Sequence, residues 1–312
     1  MDIIYSIKEQ INLINKRSSK IDLSDLIVHL ERAEYFLKKG REEQDDNYFT
    51  DVIYRTNQVF EGALREAYKA LSKKEKNRIN TYEIEKYFAD NKILNNRVLP
   101  FFTIYRQNWR NESAHNYRLF FNESEALLAI TSVSSFAYVL INQILEALAF
   151  QVEKAKDIKV GVLLKILSDE NKEFEQKAKS ILKAFIAENK QIISNQEYKE
   201  FEIIGLFNGF LSTLKNSKLK IQREPEIKSG NAVYRPDLIL GLKDDNVIIE
   251  FKRKRIEKST DNDRSQMIKY LWGTSVKIGI IFYYNSIDIK NINIRENLLE
   301  DYDETYKIIE VY

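Results

Sequence analysis

The chain has 312 residues, 49 Lys and Arg against 47 Asp and Glu, a net charge of +2, and only two histidines. The absence of cysteine excludes disulfides, thiolate zinc sites and cysteine nucleophiles together, and the near-neutral charge excludes a global field that draws in nucleic acid, so any such contact has to come from local basic patches. Nine glycines and three prolines leave little room for long flexible linkers and predict a helix-rich chain.

In chain order, residues 3–40 carry helical patterning. Ile3, Ile4, Ile7, Ile11 and Ile14 fall on one stripe, which resumes from Leu23 to Leu37 after NKRSSK. MDIIYSIKEQ lacks the uninterrupted apolar core of a secretory leader, so a cytoplasmic protein is expected. EEQDDN at 42–47 reads as a solvated connection. A long helix follows from Tyr48 to Leu71, with Ile53, Phe60, Leu64, Ala67 and Leu71 on its apolar side.

From Ala126 to Leu145 there are twenty uncharged residues, about the length of a membrane span. Six of them are polar: Thr131, Ser132, Ser134, Ser135, Asn142 and Gln143. Ile130, Val133, Ala137, Leu140, Ile141, Ile144 and Leu148 recur at helical spacing, which predicts a bundle helix with a buried face and no membrane contact. The mixed-charge stretch 153–197 reads as a helical connector between a domain at 1–152 and another at 198–312.

Beyond residue 198 the period changes. The helix EFEIIGLFNGFLSTL leads to the strands KLKIQREPEI, AVYRPDLILGL and NVIIEFKRK, then the helix DRSQMIKYLWG and the strand VKIGIIFYY. SGN and KDD mark the turns. The expected fold class is therefore an all-α N-terminal bundle followed by an α/β core.

Within NVIIEFKRK, Val247, Ile249 and Phe251 point one way, while Ile248, Glu250 and Lys252 point the other. A hairpin around KDD brings Asp237 toward Glu250. Two hard oxygen donors and a nearby carbonyl suit Mg²⁺ or Mn²⁺, which makes water more acidic. A lysine beside them can orient or deprotonate that nucleophile. Asp237, Glu250 and Lys252 thus resemble the motif of the PD-(D/E)xK nuclease superfamily over roughly 200–285, in the right order of elements. Gln266 and Tyr270, four apart on one helix face, resemble that superfamily's QxxxY signature, which implies that they hold the substrate or the catalytic arrangement. The resemblance also implies a restriction-endonuclease-like core and a helix carboxylate serving the metal. Glu202 is the choice for it, with Glu200 close behind. The run KRKR at 252–255 is either a phosphate contact or a solvated strand end.

The second motif is WRNESAH. Arg110, Asn111 and His115 fit an RxxxxH spacing after the aromatic stretch FFTIYRQNW. On one α-helix, positions five apart stand about 140° from each other, so a common target needs a helix break or two copies of the chain. Residues 22–150, with the paired helices HLERAEYFLKKG and YRTNQVFEGALREAYKAL, resemble a HEPN domain. The resemblance implies a homodimer and metal-independent RNA cleavage, with His115 moving a proton, Arg110 binding the scissile phosphate and Asn111 orienting either of them. His29 has no arginine at suitable spacing and is expected to be structural.

The two resemblances together imply a nuclease acting on RNA and/or DNA, in the manner of a microbial defence or toxin-like effector with a regulatory or antitoxin partner. A one-site alternative leaves the HEPN half to dimerise or sense a partner while a Mg²⁺-dependent DNase does the cutting. A third makes both sites idle in a binding module.

Overall fold

The computed structural model describes residues 2–72, 79–91, 93, 98–115, 119–158, 160–214, 218–253, 258–285, 292–301 and 304–312, with the side chains of residues 114, 115, 258, 259 and 301 outside that description. The chain divides into two compact units, Met1–Leu148 and Ala149–Tyr312.

The first unit is helical: α1 (Ile3–Arg17), α2 (Ser24–Glu43), α3 (Asp46–Ser72), α4 (Thr81–Asp90), α5 (Leu99–Tyr105), a π-helical turn (Arg106–Asn111), α6 (Glu112–His115) and most of α7 (Glu123–Lys154). The isoleucine stripe of α1 is buried at Ile4, Ile7, Ile11 and Ile14. Between α2 and α3, Gln44 adopts the left-handed conformation (φ 54°) that ends a helix abruptly, so two long helices join over two residues. Gly40 makes their approach possible, since a Cβ there would stand 2.5 Å from a ring carbon of Phe49. Phe60 of α3 is the hub of the core, with ring centroids 5.0 Å from Phe102, 4.7 Å from Tyr105 and 5.6 Å from Phe136. Among the described residues, α7 is the one helix long and apolar enough to cross a membrane, and half of its most apolar stretch is buried inside the structure.

The second unit begins with α8 (Gly161–Ser168), α9 (Phe174–Glu188), α10 (Lys190–Ile193) and α11 (Glu200–Thr213). There follow β1 (Leu219–Arg223), β2 (Ile227–Ser229), β3 (Ala232–Tyr234), β4 (Leu238–Leu242), β5 (Asp245–Arg253), α12 (Lys258–Thr274), β6 (Ile278–Tyr284), β7 (Ile294–Asp301) and β8 (Glu304–Val311). Six strands form a mixed sheet in the order β1-β4-β5-β6-β8-β7, and β2 with β3 makes a separate hairpin. β5, β6 and β8 run parallel, and the other pairings in the sheet are antiparallel. The fold is thus α+β, helical first and mixed sheet second.

Alternation along β5 sorts the two sheet faces. Val247, Ile249 and Phe251 join the core built with α9 and α11, while Ile248 joins Met267, Tyr270 and Leu271 of α12 on the other face. Residues 153–197, expected as a connector, instead belong to the second unit. Leu163, Leu167, Phe174, Ala178, Ile181, Leu182 and Phe185 pack into the same core as Phe251, because α8 and α9 each carry a continuous apolar face. Two strands were not anticipated, β7 and β8. The expected strand KLKIQREPEI is also two elements, β1 and β2, broken at Glu224, where φ is 40°.

Candidate functional site

The register of β4 and β5 pairs Leu238 with Ile249, so Asp237, one residue before β4, stands opposite Glu250. The pair is cross-linked through the backbone. Asp237 N–H donates to Glu250 Oε1 (3.0 Å), and Phe251 N–H donates to Asp237 Oδ2 (2.8 Å). Lys252, two residues on and therefore on the same face, places Nζ 3.0 Å from Glu250 Oε2. Glu250 is almost fully buried. The three residues expected from sequence come together at the C-terminal ends of the parallel strands, the end at which open α/β sheets bind their ligands.

Burial and proximity set the protonation of this cluster. Burial first, then the charge of Glu250, pushes Asp237 up to about 8. Burial likewise raises Glu250, with Lys252 pulling partly the other way. Burial acts to lower Lys252, but the charge of Glu250 and its hydrogen bond outweigh it, and the ammonium is held above its ordinary value. Two carboxylates facing one cation therefore retain a proton that a second cation would displace.

The donor set fits a hard divalent ion: carboxylate oxygens without sulfur or imidazole. Among the described residues no group of three or more His, Cys, Asp and Glu side chains forms a metal-holding cluster, so further ligands would be backbone carbonyl and water.

Gln266 and Tyr270 of α12 lie over this face. Gln266 Nε2 donates to Tyr270 Oη (2.5 Å), and Tyr270 Oη donates to the carbonyl of Arg235 (3.2 Å), two residues before Asp237. Tyr270 is raised by burial first and then by the charge of Glu250. The hairpin β2–β3 covers the same helix through Tyr234, whose ring centroid is 6.0 Å from that of Tyr270.

Glu202, the expected helix carboxylate, is engaged in capping α11. It is buried at the third position of α11, where its Oε2 accepts from Lys199 N–H (3.0 Å) and caps the helix. Of the two α11 glutamates, Glu200 is the one whose charge reaches Lys252, after the charges of Glu250 and Asp237. Arg253 donates to the carbonyl of Gln196 (2.8 Å) and so ties β5 to the loop before α11. Lys254 and Arg255 lie outside the described residues.

Four further residues were missed from sequence: Arg264, Tyr283, Asn297 and Glu310. Arg264 of α12 makes a two-pronged bond to Glu310 of β8, with Nε to Oε1 and Nη2 to Oε2 both at 2.8 Å, and Asn297 adds a third donor at 3.2 Å. Glu310 is 1% exposed and lies in register with Ile281, which pairs with Glu250. Tyr283, in register with Lys252, is raised by burial and then by the charges of Asp263 and Glu310, so its phenol stays a neutral donor.

The second motif sits where the helix widens. The π-helical turn Arg106–Asn111 hands over directly to α6, which ends at His115. With about 4.4 residues per π-turn, the angle between positions 110 and 115 narrows from about 140° to roughly 100–120°. The helix does not break, and the two positions do not reach a common face. The side chain of His115 lies outside the described residues.

The other motif residues are tied to α3. Arg110 Nε donates to Glu61 Oε1 (2.9 Å), and Arg110 Nη1 donates to Asn111 Oδ1 (3.2 Å), so that oxygen of Asn111 serves the arginine. Ser113 Oγ accepts from Asn57 Nδ2 (2.7 Å), and Tyr105 Oη lies 3.0 Å from Asn57 Oδ1. His29 does have an arginine beside it in space. Arg55 Nη1 is 3.4 Å from its Nδ1, and burial, then the charge of Arg55, lowers the imidazole so that it is neutral at pH 7.

No family model, curated protein or solved structure matches this chain.

Proposed function

We propose that this chain is a two-domain nuclease. The second unit hydrolyses phosphodiesters of DNA or RNA with the help of Mg²⁺ or Mn²⁺, and the first cleaves RNA without metal. The observation that carries the reading is the convergence of Asp237, Glu250 and Lys252 on one sheet face, with Gln266 and Tyr270 above them. It supports the resemblance to the PD-(D/E)xK superfamily and its restriction-endonuclease-like core.

Asp237 and Glu250 would hold the ion, which supplies Lewis acidity toward the phosphate and lowers the pKa of water when bound. Lys252, kept protonated by Glu250, stabilises negative charge growing on the phosphate. Gln266 and Tyr270 position the strand being cut. In the HEPN-like first unit Arg110 engages the scissile phosphate and His115 transfers the proton of the ribose 2′-OH, in a homodimer that pairs the two motifs. The 100–120° between the two positions supports a site shared by two chains. The biological role that follows is cytoplasmic defence or toxin-like action, restrained by a partner.

A second reading is favoured by the ion pair of Arg110 with Glu61, which already engages the arginine. In that reading the helical unit dimerises or senses a partner and only the second unit cuts. Labelled RNA and DNA, incubated with and without EDTA, separate these readings. RNA cleavage that survives EDTA and is lost in His115→Ala supports the first site. Cleavage that needs Mg²⁺ and is lost in Glu250→Ala or Lys252→Ala supports the second. If the wild type cuts neither substrate under any of these conditions, the nuclease reading fails.

A further inference from the structure

Glu61 does more than pair with Arg110. Its two oxygens go to two different guanidinium groups, Oε1 to Arg110 Nε at 2.9 Å and Oε2 to Arg65 Nη2 at 3.1 Å. The three side chains line a groove of about 480 Å³ together with Asn80, Thr81 and Glu83. An exposed ion pair one helical turn apart, such as Glu61–Arg65, contributes little to stability, so its placement calls for another account.

Each guanidinium offers five N–H donors; Glu61 engages one nitrogen of each and Asn111 a second of Arg110, which still leaves donors on both sides of the groove. One carboxylate between two guanidiniums also leaves the trio at +1, equal and opposite to one phosphodiester. We infer that Arg65 and Arg110 form a two-armed site for a single backbone phosphate of single-stranded RNA, with Glu61 as the bracket that keeps the arms from repelling each other. The inference rests on the ribonuclease reading of the first unit and adds Arg65 to it as a binding residue.

One observation favours a single strand. Tyr82, between Thr81 and Glu83, is 59% exposed, and Arg106 covers one part of its surroundings with its guanidinium carbon 5.6 Å from the ring centroid. An exposed aromatic beside a phosphate site is what an unpaired base stacks on.

The test is binding of a labelled single-stranded 2′-O-methyl oligoribonucleotide, which lacks the nucleophilic hydroxyl, to the full chain in EDTA over a range of salt concentrations. Arg65→Gln should weaken binding about tenfold and reduce the slope of log K against log salt by about 0.7, as Arg110→Gln should. Arg65→Lys should keep the slope while losing part of the affinity, because it retains the charge without the fork. Tyr82→Ala should weaken binding at unchanged slope. If Arg110→Gln weakens binding and Arg65→Gln changes nothing, the two-armed site is overturned and the ribonuclease reading stands. If both arginines matter but the wild type cuts no RNA, the site stands and the ribonuclease reading falls. Indifference of binding to both arginines overturns the site, and indifference to Tyr82→Ala overturns its single-strand assignment.

Discussion

Replacing Asp237 with asparagine should make the metal-free protein only a little more stable than wild type at pH 5 and clearly more stable at pH 8–9. Asparagine keeps an oxygen to accept from Phe251 N–H and adds an amide donor facing Glu250, but it cannot ionise. In the wild type the folded state raises Asp237 from 3.8 to about 8, and Glu250 is raised as well. A carboxylate raised on folding binds its proton more tightly in the native than in the unfolded chain, so stability is greatest in acid. It declines as pH rises from about 4 and levels off above about 8. At about 1.4 kcal/mol per unit the ceiling for one proton is about 6 kcal/mol. Sharing that proton between two carboxylates beside Lys252 brings the expected difference to about 2–3 kcal/mol. The assay is urea unfolding in EDTA at intervals from pH 5 to 9 for both proteins, followed by a signal from the second unit. Parallel stability curves, or a variant less stable than wild type at pH 9, would refute the proposed protonation. Adding Mg²⁺ should flatten or reverse the wild-type slope by mass action and have little effect on the variant.

Removing one partner of the Arg264–Glu310 pair strands the other. Arg264→Met should destabilise the second unit by about 3–5 kcal/mol, measured by chemical denaturation, because Glu310 is left buried and charged. Tyr270→Phe should cost about 1 kcal/mol through loss of its bond to the Arg235 carbonyl and lower Mg²⁺-dependent cleavage, with circular dichroism unchanged. Gly279→Ala should destabilise by about 1–3 kcal/mol, since its Cβ would meet Met267 Sδ at 2.4 Å. A second substitution, Met267→Ala, should return part of that loss in a double-mutant cycle, and strict additivity would argue against direct contact.

Much of the geometry of the second candidate site was legible because its information is local. The period-two pattern over residues 247–252 assigned Glu250 and Lys252 to one face, and the KDD turn implied the antiparallel pairing that brings Asp237 opposite Glu250. The capping role of Glu202 also has a local signal: a glutamate at the third helical position reaches back to the N-cap N–H, which competes with service in a site. β7 and β8 were missed because IRENLLED and ETYKIIEV scatter charges over both faces. One of those charges, Glu310, is buried only because Arg264, 46 residues away, meets it. The arginine beside His29 comes from α3, 26 residues on, and no spacing rule reaches it. The π-helical turn has no sequence signature of its own. It shows only as a narrowed angle between two motif residues, for which the sequence left a helix break or two copies of the chain open.

The position of β8 bears on when the second unit can assemble. This strand lies inside the sheet between β6 and β7, and through Glu310 it is the anchor for α12. Asp237, Glu250 and Lys252 are all made earlier on the ribosome, as are Gln266 and Tyr270, yet among the described residues the ion pair that ties α12 to the sheet forms only once residue 310 has emerged. Pairings of such long sequence separation form slowly. A nascent chain stalled before β8 should therefore carry a folded helical unit and an unassembled carboxylate–lysine cluster, detectable as protease resistance confined to the N-terminal half. Late completion of the sheet would thus hold the carboxylate–lysine cluster unassembled until residue 310 had been made.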